Sequence, residues 1–137
     1  MKIRILIFVL SLFTFLSCKK PAGTGGNSTI KGTVWVQDYN KYLAGNPQYQ
    51  YSGVDVEVYI IYGDDISAGD KVNTNANGEF EFKYLRKGKY TIYAIGKEKL
   101  STATTNDDLK DVAFSLDVTV SKNKETVDAG QLTIKTE

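Results

Sequence analysis

Six aromatic residues carry most of the recognition chemistry this 137-residue chain offers: Trp35, Tyr39, Tyr42, Tyr49, Tyr51 and Tyr59. Such a ring presents a flat apolar face and a polar edge, which suits a sugar ring or a protein partner. Tyr39, Tyr42, Tyr49 and Tyr51 fall in one long connection, Asp38–Ser52. Loops borne on a rigid scaffold often hold binding sites. Two arrangements are open: the tyrosine loop stands free as a site, or it folds back over a sheet face and covers Trp35. Covalent chemistry has few carriers. The chain has no His, and Cys18 is its only cysteine. Without His it lacks the commonest general base and metal ligand at neutral pH. That inventory excludes zinc catalysis and Ser-His-Asp or Cys-His hydrolysis. Asp64-Asp65 and Asp107-Asp108 are adjacent in sequence, not the opposed pair a glycosidase needs.

A calcium site is a further candidate for chemistry. Asn73-Thr-Asn75-Ala-Asn77-Gly78 imitates the start of a D-x-N-x-N-G loop. Amides alone give little charge to hold a hard cation, and the twelfth position is Tyr84 where a bidentate Glu is needed. Asp64, Asp65 and Asp70 in the preceding turn could contribute. An ordinary turn is the better reading. We expect no catalytic residues, no metal and no cofactor.

The elements that position these residues have a period of two. Ile30, Gly32, Val34 and Val36 alternate with Lys31, Thr33, Trp35 and Gln37. Val54 to Ile60, Phe80 to Phe82, Tyr90 to Ala94 and Phe114 to Val120 alternate likewise, and Leu132 and Ile134 close the series. Alternation marks strands with one buried face. The phase turns Trp35, Tyr59, Ile61 and Tyr93 outward. Asn77-Gly78 reads as a hairpin turn, and Lys87-Gly88 separates two further runs. The pattern predicts an all-β, seven-stranded antiparallel sandwich.

Residues 1–17 stand apart. Lys2 and Arg4 precede an apolar run, Ile5 to Leu16, and Phe15-Leu16-Ser17-Cys18 ends it. A bilayer-spanning helix needs about 20 apolar residues, so this run reads as a signal-peptide core. It resembles a bacterial lipoprotein signal, in which the cysteine, here Cys18, is acylated and becomes the first residue. Residues 18–28 follow as a flexible tether, with Gly23, Gly25 and Gly26 keeping it loose. A Gly-rich coil of ten residues, Lys19 to Ser28, spans on the order of 17 Å and leaves a domain's orientation free. The domain is then 29–137. The whole chain has 17 Lys and Arg; less Lys2 and Arg4, 15 face 16 Asp and Glu. Near-neutrality carries no nucleic-acid footprint.

The stretch Asn75 to Ala94, with Ile30 to Val34, Gly53 to Val58, Leu85, Gly88-x-Tyr90-x-Ile92 and Gly130-x-Leu132, is similar to the carboxypeptidase regulatory-like domains. Those domains share the transthyretin-like (prealbumin-like, Cna-B-like) Greek-key sandwich, and the likeness runs over nearly all of 29–135. It implies a plug at Leu85 and a buried Tyr90 whose hydroxyl meets backbone. Some relatives of that fold carry a Lys-to-Asn or Lys-to-Asp isopeptide bond. Lys31 and Asp128 could supply its ends, but the position the resemblance gives to the required acid is Ala94. Enzymes of similar architecture depend on histidines, which this chain lacks.

The reading is a non-catalytic lipoprotein of the bacterial cell envelope, held by its lipid at the outer membrane on the periplasmic or surface face. The sandwich would serve as a binding or structural module for an envelope protein, docking through Trp35, Tyr59 and Ile61. The alternative is a carbohydrate-binding module using the Tyr39–Tyr51 loop. No nucleic-acid partner is expected.

Overall fold

A computed structural model describes residues 21–39, 45–99 and 109–137. Residues 1–17, read above as a signal peptide, Cys18 and Tyr42 lie outside the described residues. The described chain is all-β. Its strands are β1 (Thr24–Asp38), β2 (Tyr49–Ser52), β3 (Glu57–Tyr62), β4 (Asp70–Asn73), β5 (Glu79–Leu85), β6 (Gly88–Lys99), β7 (Leu109–Val120) and β8 (Thr126–Thr136). They form two sheets. In one, β1 pairs β8 along one edge; β5 and then β2 share its other edge. The second runs β4-β3-β6-β7.

The alternating apolar residues meet between the sheets. Ile30, Val34 and Val36 of β1, Phe80 and Phe82 of β5, and Leu132 and Ile134 of β8 face Val58, Ile60, Tyr90, Ile92, Ala94, Val118 and Val120 of the second sheet; all are buried. Burying a Val, Ile, Leu or Phe side chain contributes roughly 1.5–3 kcal/mol, so this layer holds the fold.

Four expectations about the strands are corrected. The described residues form eight strands rather than seven: the second half of the tyrosine connection becomes β2, because its backbone completes the edge of β1 from Trp35 to Asp38. The sandwich is not wholly antiparallel, since β8 runs parallel to β1. The Asn77-Gly78 turn does not close a hairpin, since β4 pairs β3 while β5 pairs β1. It carries the chain from one sheet to the other. Asn75 Oδ1 accepts the N–H groups of Asn77 (2.9 Å) and Glu79 (3.0 Å) there. The strand expected from Val54 starts only at Glu57. Thr74 Oγ1 takes over the preceding pairing, accepting the Val56 N–H at 2.9 Å and donating to the Gly53 carbonyl at 2.5 Å.

The largest correction concerns the tether. From Pro21 onward it belongs to the fold, and β1 begins at Thr24. Tyr90 is buried as expected. Its hydroxyl donates to the Arg86 carbonyl at 2.6 Å and accepts the Gly23 N–H at 3.0 Å. The Arg86 N–H returns to the Gly23 carbonyl at 2.9 Å. The Arg86 side chain donates to the Pro21 carbonyl through Nε (2.7 Å) and to the Thr24 carbonyl through Nη1. Ser28 is 1% exposed, donating to the Lys122 carbonyl at 3.0 Å. Glycine serves close approach here rather than looseness. A Cβ on Gly26 would stand 2.0 Å from the Leu85 carbonyl oxygen, and one on Gly88 2.6 Å from the Ala22 Cβ.

Candidate functional site

The six aromatic residues do not converge on one surface. Strand phase places Trp35, with Gln37, on the outer face of the first sheet, and Tyr59 on the outer face of the second. A single Trp35/Tyr59/Ile61 docking surface is therefore excluded by topology, because the two sheets' outer faces point away from each other.

Trp35 is half-buried. Its register partners are Ser52 on β2 and Thr133 on β8. Nε1 donates to Gln50 Oε1 at 3.4 Å. Neither arrangement offered for the tyrosine loop describes this. The loop does return to the sheet, but Gln50 and Ser52 share Trp35's face while Tyr49 and Tyr51 point to the other. Tyr39 is half-buried at the end of β1. Its N–H donates to the Thr136 carbonyl at 2.9 Å and its hydroxyl to Gln37 Oε1 at 3.3 Å. Tyr39 thus closes the strand end.

Tyr49 and Tyr51 are the open members. Tyr51 pairs with Val36 and Tyr49 with Asp38, so both take the phase that faces inward on β1. Val36 is 3% exposed, yet Tyr51 is 44% and Tyr49 67% exposed. The covering layer thus ends between β1 and β2. Two tyrosines at i and i+2 stand roughly 7 Å apart on one face, forming an aromatic rim at the sandwich edge.

The outer face of the second sheet has a different construction. Register aligns Lys71, Tyr59, Tyr93 and Ser115 in one row across β4, β3, β6 and β7. The Tyr59 and Tyr93 rings stack at 5.0 Å and 12°. Lys71 Nζ lies 5.9 Å over the Tyr59 ring. Tyr59 donates its hydroxyl to Glu57 Oε2 at 2.5 Å, and Lys71 pairs with Glu57 Oε1. The hydrogen bond from Lys71, joined by that from Tyr59, holds the Glu57 carboxyl below its ordinary range. The same contacts push Lys71 up, and Glu57 pushes the Tyr59 hydroxyl up. Both flat faces of Tyr59 are thus occupied, one by Tyr93 and one by Lys71. The outer face here is a patch of the Tyr59 and Tyr93 rings with Ile61 and Ile95, rimmed by Glu57, Lys71 and Asp117. It has an apolar centre and a charged rim. Sequence reasoning identified Tyr59, Ile61 and Tyr93 here but missed Ile95, which follows Tyr93 by two and is 44% exposed.

The other candidates resolve simply. Lys31 and Asp128 are register partners on β1 and β8, but both are exposed on the outer face, and Ala94 in the core carries no proton-shuttling group. In the Asn73–Gly78 turn, Asn73 Nδ2 donates to Asp55 Oδ1 at 2.7 Å and Asn75 Nδ2 to Glu79 Oε2 at 2.8 Å. The amides are consumed in holding the turn. Among the described residues no cluster of three acidic side chains is arranged to hold a metal ion. Asp107-Asp108 lies outside the described residues.

No protein-family model matches the chain, and no curated protein does. Among solved structures it is similar to a Pseudomonas aeruginosa protein provisionally described as carbohydrate binding. The two share 14% identity at a TM-score of 0.45, over 83% of this chain and 91% of that one. A likeness at that level assigns no ligand to this chain.

Proposed function

We propose that this chain is a non-catalytic lipoprotein of the bacterial cell envelope, acylated at Cys18, whose sandwich binds a partner protein through the outer face of β3 and β6. One observation carries the binding surface: the Tyr59–Tyr93 pair forms the centre of an apolar patch with a charged rim. The anchor rests on the leader pattern and on Cys18. The family reading is the carboxypeptidase regulatory-like, transthyretin-like one. The buried Tyr90 corner and the inter-sheet turns at Asn77-Gly78 and Lys87-Gly88 support it. In this reading β1 and β3 to β8 are the seven strands of the Greek key, and β2 is an addition to the first connection. The outer membrane is the proposed location.

A second reading, carbohydrate binding, has its own support. Tyr49 and Tyr51 are exposed, side by side on one face. Two experiments separate the readings. A photo-crosslinking residue at Tyr93, in cells of the source bacterium, should give a discrete protein adduct, and the same residue at Lys83 on the first sheet should not. No adduct at Tyr93 defeats the protein reading. Binding on a glycan array that is lost in a folded Tyr49→Ala/Tyr51→Ala variant would replace it with the carbohydrate one.

A further inference from the structure

We propose that the end of the sandwich holding Pro21 is a membrane-contacting surface, which sits on the anionic phosphate headgroups of the bilayer carrying the Cys18 acyl chains. The inference rests on the lipoprotein reading and adds an orientation to it.

The first support is reach. Pro21 is bonded to Arg86, and Gly23 to Tyr90 and Arg86. Lys19 and Lys20 alone stand between Cys18 and Pro21. Three residue steps extend at most about 11 Å. A leash that short, fixed to one end of a rigid body, brings that end to the headgroups and holds the rest away.

The second support is charge. The turns around Pro21 carry Arg86, Lys87 and Lys89 from the β5–β6 corner, and Lys122 and Lys124 from the β7–β8 turn. Those four lysines are exposed. Among the described residues the ion pairs are Lys71–Glu57, Lys83–Glu81, Lys97–Asp111 and Lys110–Glu98, so none of these four lysines is neutralised by one. The acidic groups at this end are Asp64 and Asp65 in the β3–β4 turn, and Glu125. The Glu125 carboxylate is occupied by the Ser121 and Lys122 N–H groups, each at 2.8 Å. Positive charge is therefore in excess, which an anionic leaflet attracts within a Debye length.

The third support is shape. Between the N-terminal segment and these two turns lies an open concavity of about 720 Å³, lined by Gly25, Gly26, Asn27, Arg86, Lys87 and Ser121 among others. Its lining includes two cations, Arg86 and Lys87, beside the polar side chains of Asn27 and Ser121, donors that a phosphate oxygen can accept from.

The test uses the full mature lipoprotein, its Cys18 acylation verified by mass, in phosphatidylcholine vesicles with or without phosphatidylglycerol. Spin labels are placed through Asn123→Cys at this end and Gln48→Cys at the other. The label at 123 should be shielded from an aqueous relaxant about threefold more than the label at 48 when phosphatidylglycerol is present. High salt, or Lys87→Glu/Lys122→Glu/Lys124→Glu, should remove the part of that difference that phosphatidylglycerol adds. Equal shielding at both positions on acylated protein overturns the orientation and leaves the lipoprotein reading standing. Shielding at 123 that ignores phosphatidylglycerol overturns the headgroup contact. An unmodified Cys18 overturns both readings.

Discussion

Two segments that read as irregular in the sequence, Pro21–Ser28 and Gly45–Ser52, are both drawn into the first sheet, one as the start of β1 and the other as β2 on its edge, and they differ in what they leave exposed. The first has small residues and places them against the corner of the sandwich. Gly23 and Ser28 are buried, and Ala22 packs on the core. The second has large aromatic residues and leaves them in solvent, with Tyr49 at 67% exposure. Small residues let backbone approach backbone, so Pro21–Ser28 is spent on stability. Tyr49 and Tyr51 hold their strand by its backbone alone and keep their rings available. Size, rather than polarity, separates the buried segment from the exposed one.

The comparison can be broken most strongly at the first segment. A chain starting at Thr29 loses the Gly23 and Ser28 hydrogen bonds and the Ala22 contact together; chemical denaturation should show a loss on the order of 3 kcal/mol or more. Unchanged stability would make the segment a bystander. Next is Tyr90→Phe, which leaves the Arg86 carbonyl and the Gly23 N–H without their partner; about 2 kcal/mol is expected. The two losses should fall short of additive in a double-mutant cycle, because they remove the same contact. By contrast, Tyr49→Ala/Tyr51→Ala should move stability by no more than about 0.5 kcal/mol. A large loss there would return the tyrosines to a structural role.

The smallest effect belongs to the second sheet. Nuclear magnetic resonance titration should place the Glu57 midpoint below the ordinary glutamate value of 4.5, and Lys71→Met should raise it toward that value. A depressed carboxyl contributes stability at pH above its unfolded pKa and loses it as pH falls through the folded one. Lys71 and Tyr59 are raised, so theirs is lost as pH rises through their folded values. No movement of the Glu57 midpoint in Lys71→Met would dissolve the proposed Lys71–Glu57–Tyr59 arrangement.

Most of the core was legible because burial and alternation are the same fact on a strand. Ile30, Val34, Val58, Ile60, Ile92 and Leu132 face inward as their phase requires. Tyr90 was legible by the same alternation, and Leu85, which the resemblance suggested as a plug, is buried at the end of β5. The sheet change at Asn77-Gly78 was not, since the same positive-φ turn serves a hairpin or a crossing; Gly78 sits at φ 77°. β2 was hidden because its Tyr-Gln-Tyr-Ser has no apolar alternation; backbone pairing with β1 creates it. The N-terminal part of β1 was hidden for a related reason. Its glycines signal freedom in one dimension and close approach in three. Of the candidate site, strand phase gave Trp35 and Tyr59 their outward direction but could not show that they lie on different sheets.

The described chain is polarised. A basic end is fixed from Pro21 onward, and an aromatic rim is held at the edge of β2. Hydrogen exchange on the full-length protein tests the fixed end directly. The Gly23 and Arg86 amides, bonded to Tyr90 and Gly23, should exchange as slowly as those of β3 and β6. Exchange at Gly23 at the rate of a free peptide would contradict it.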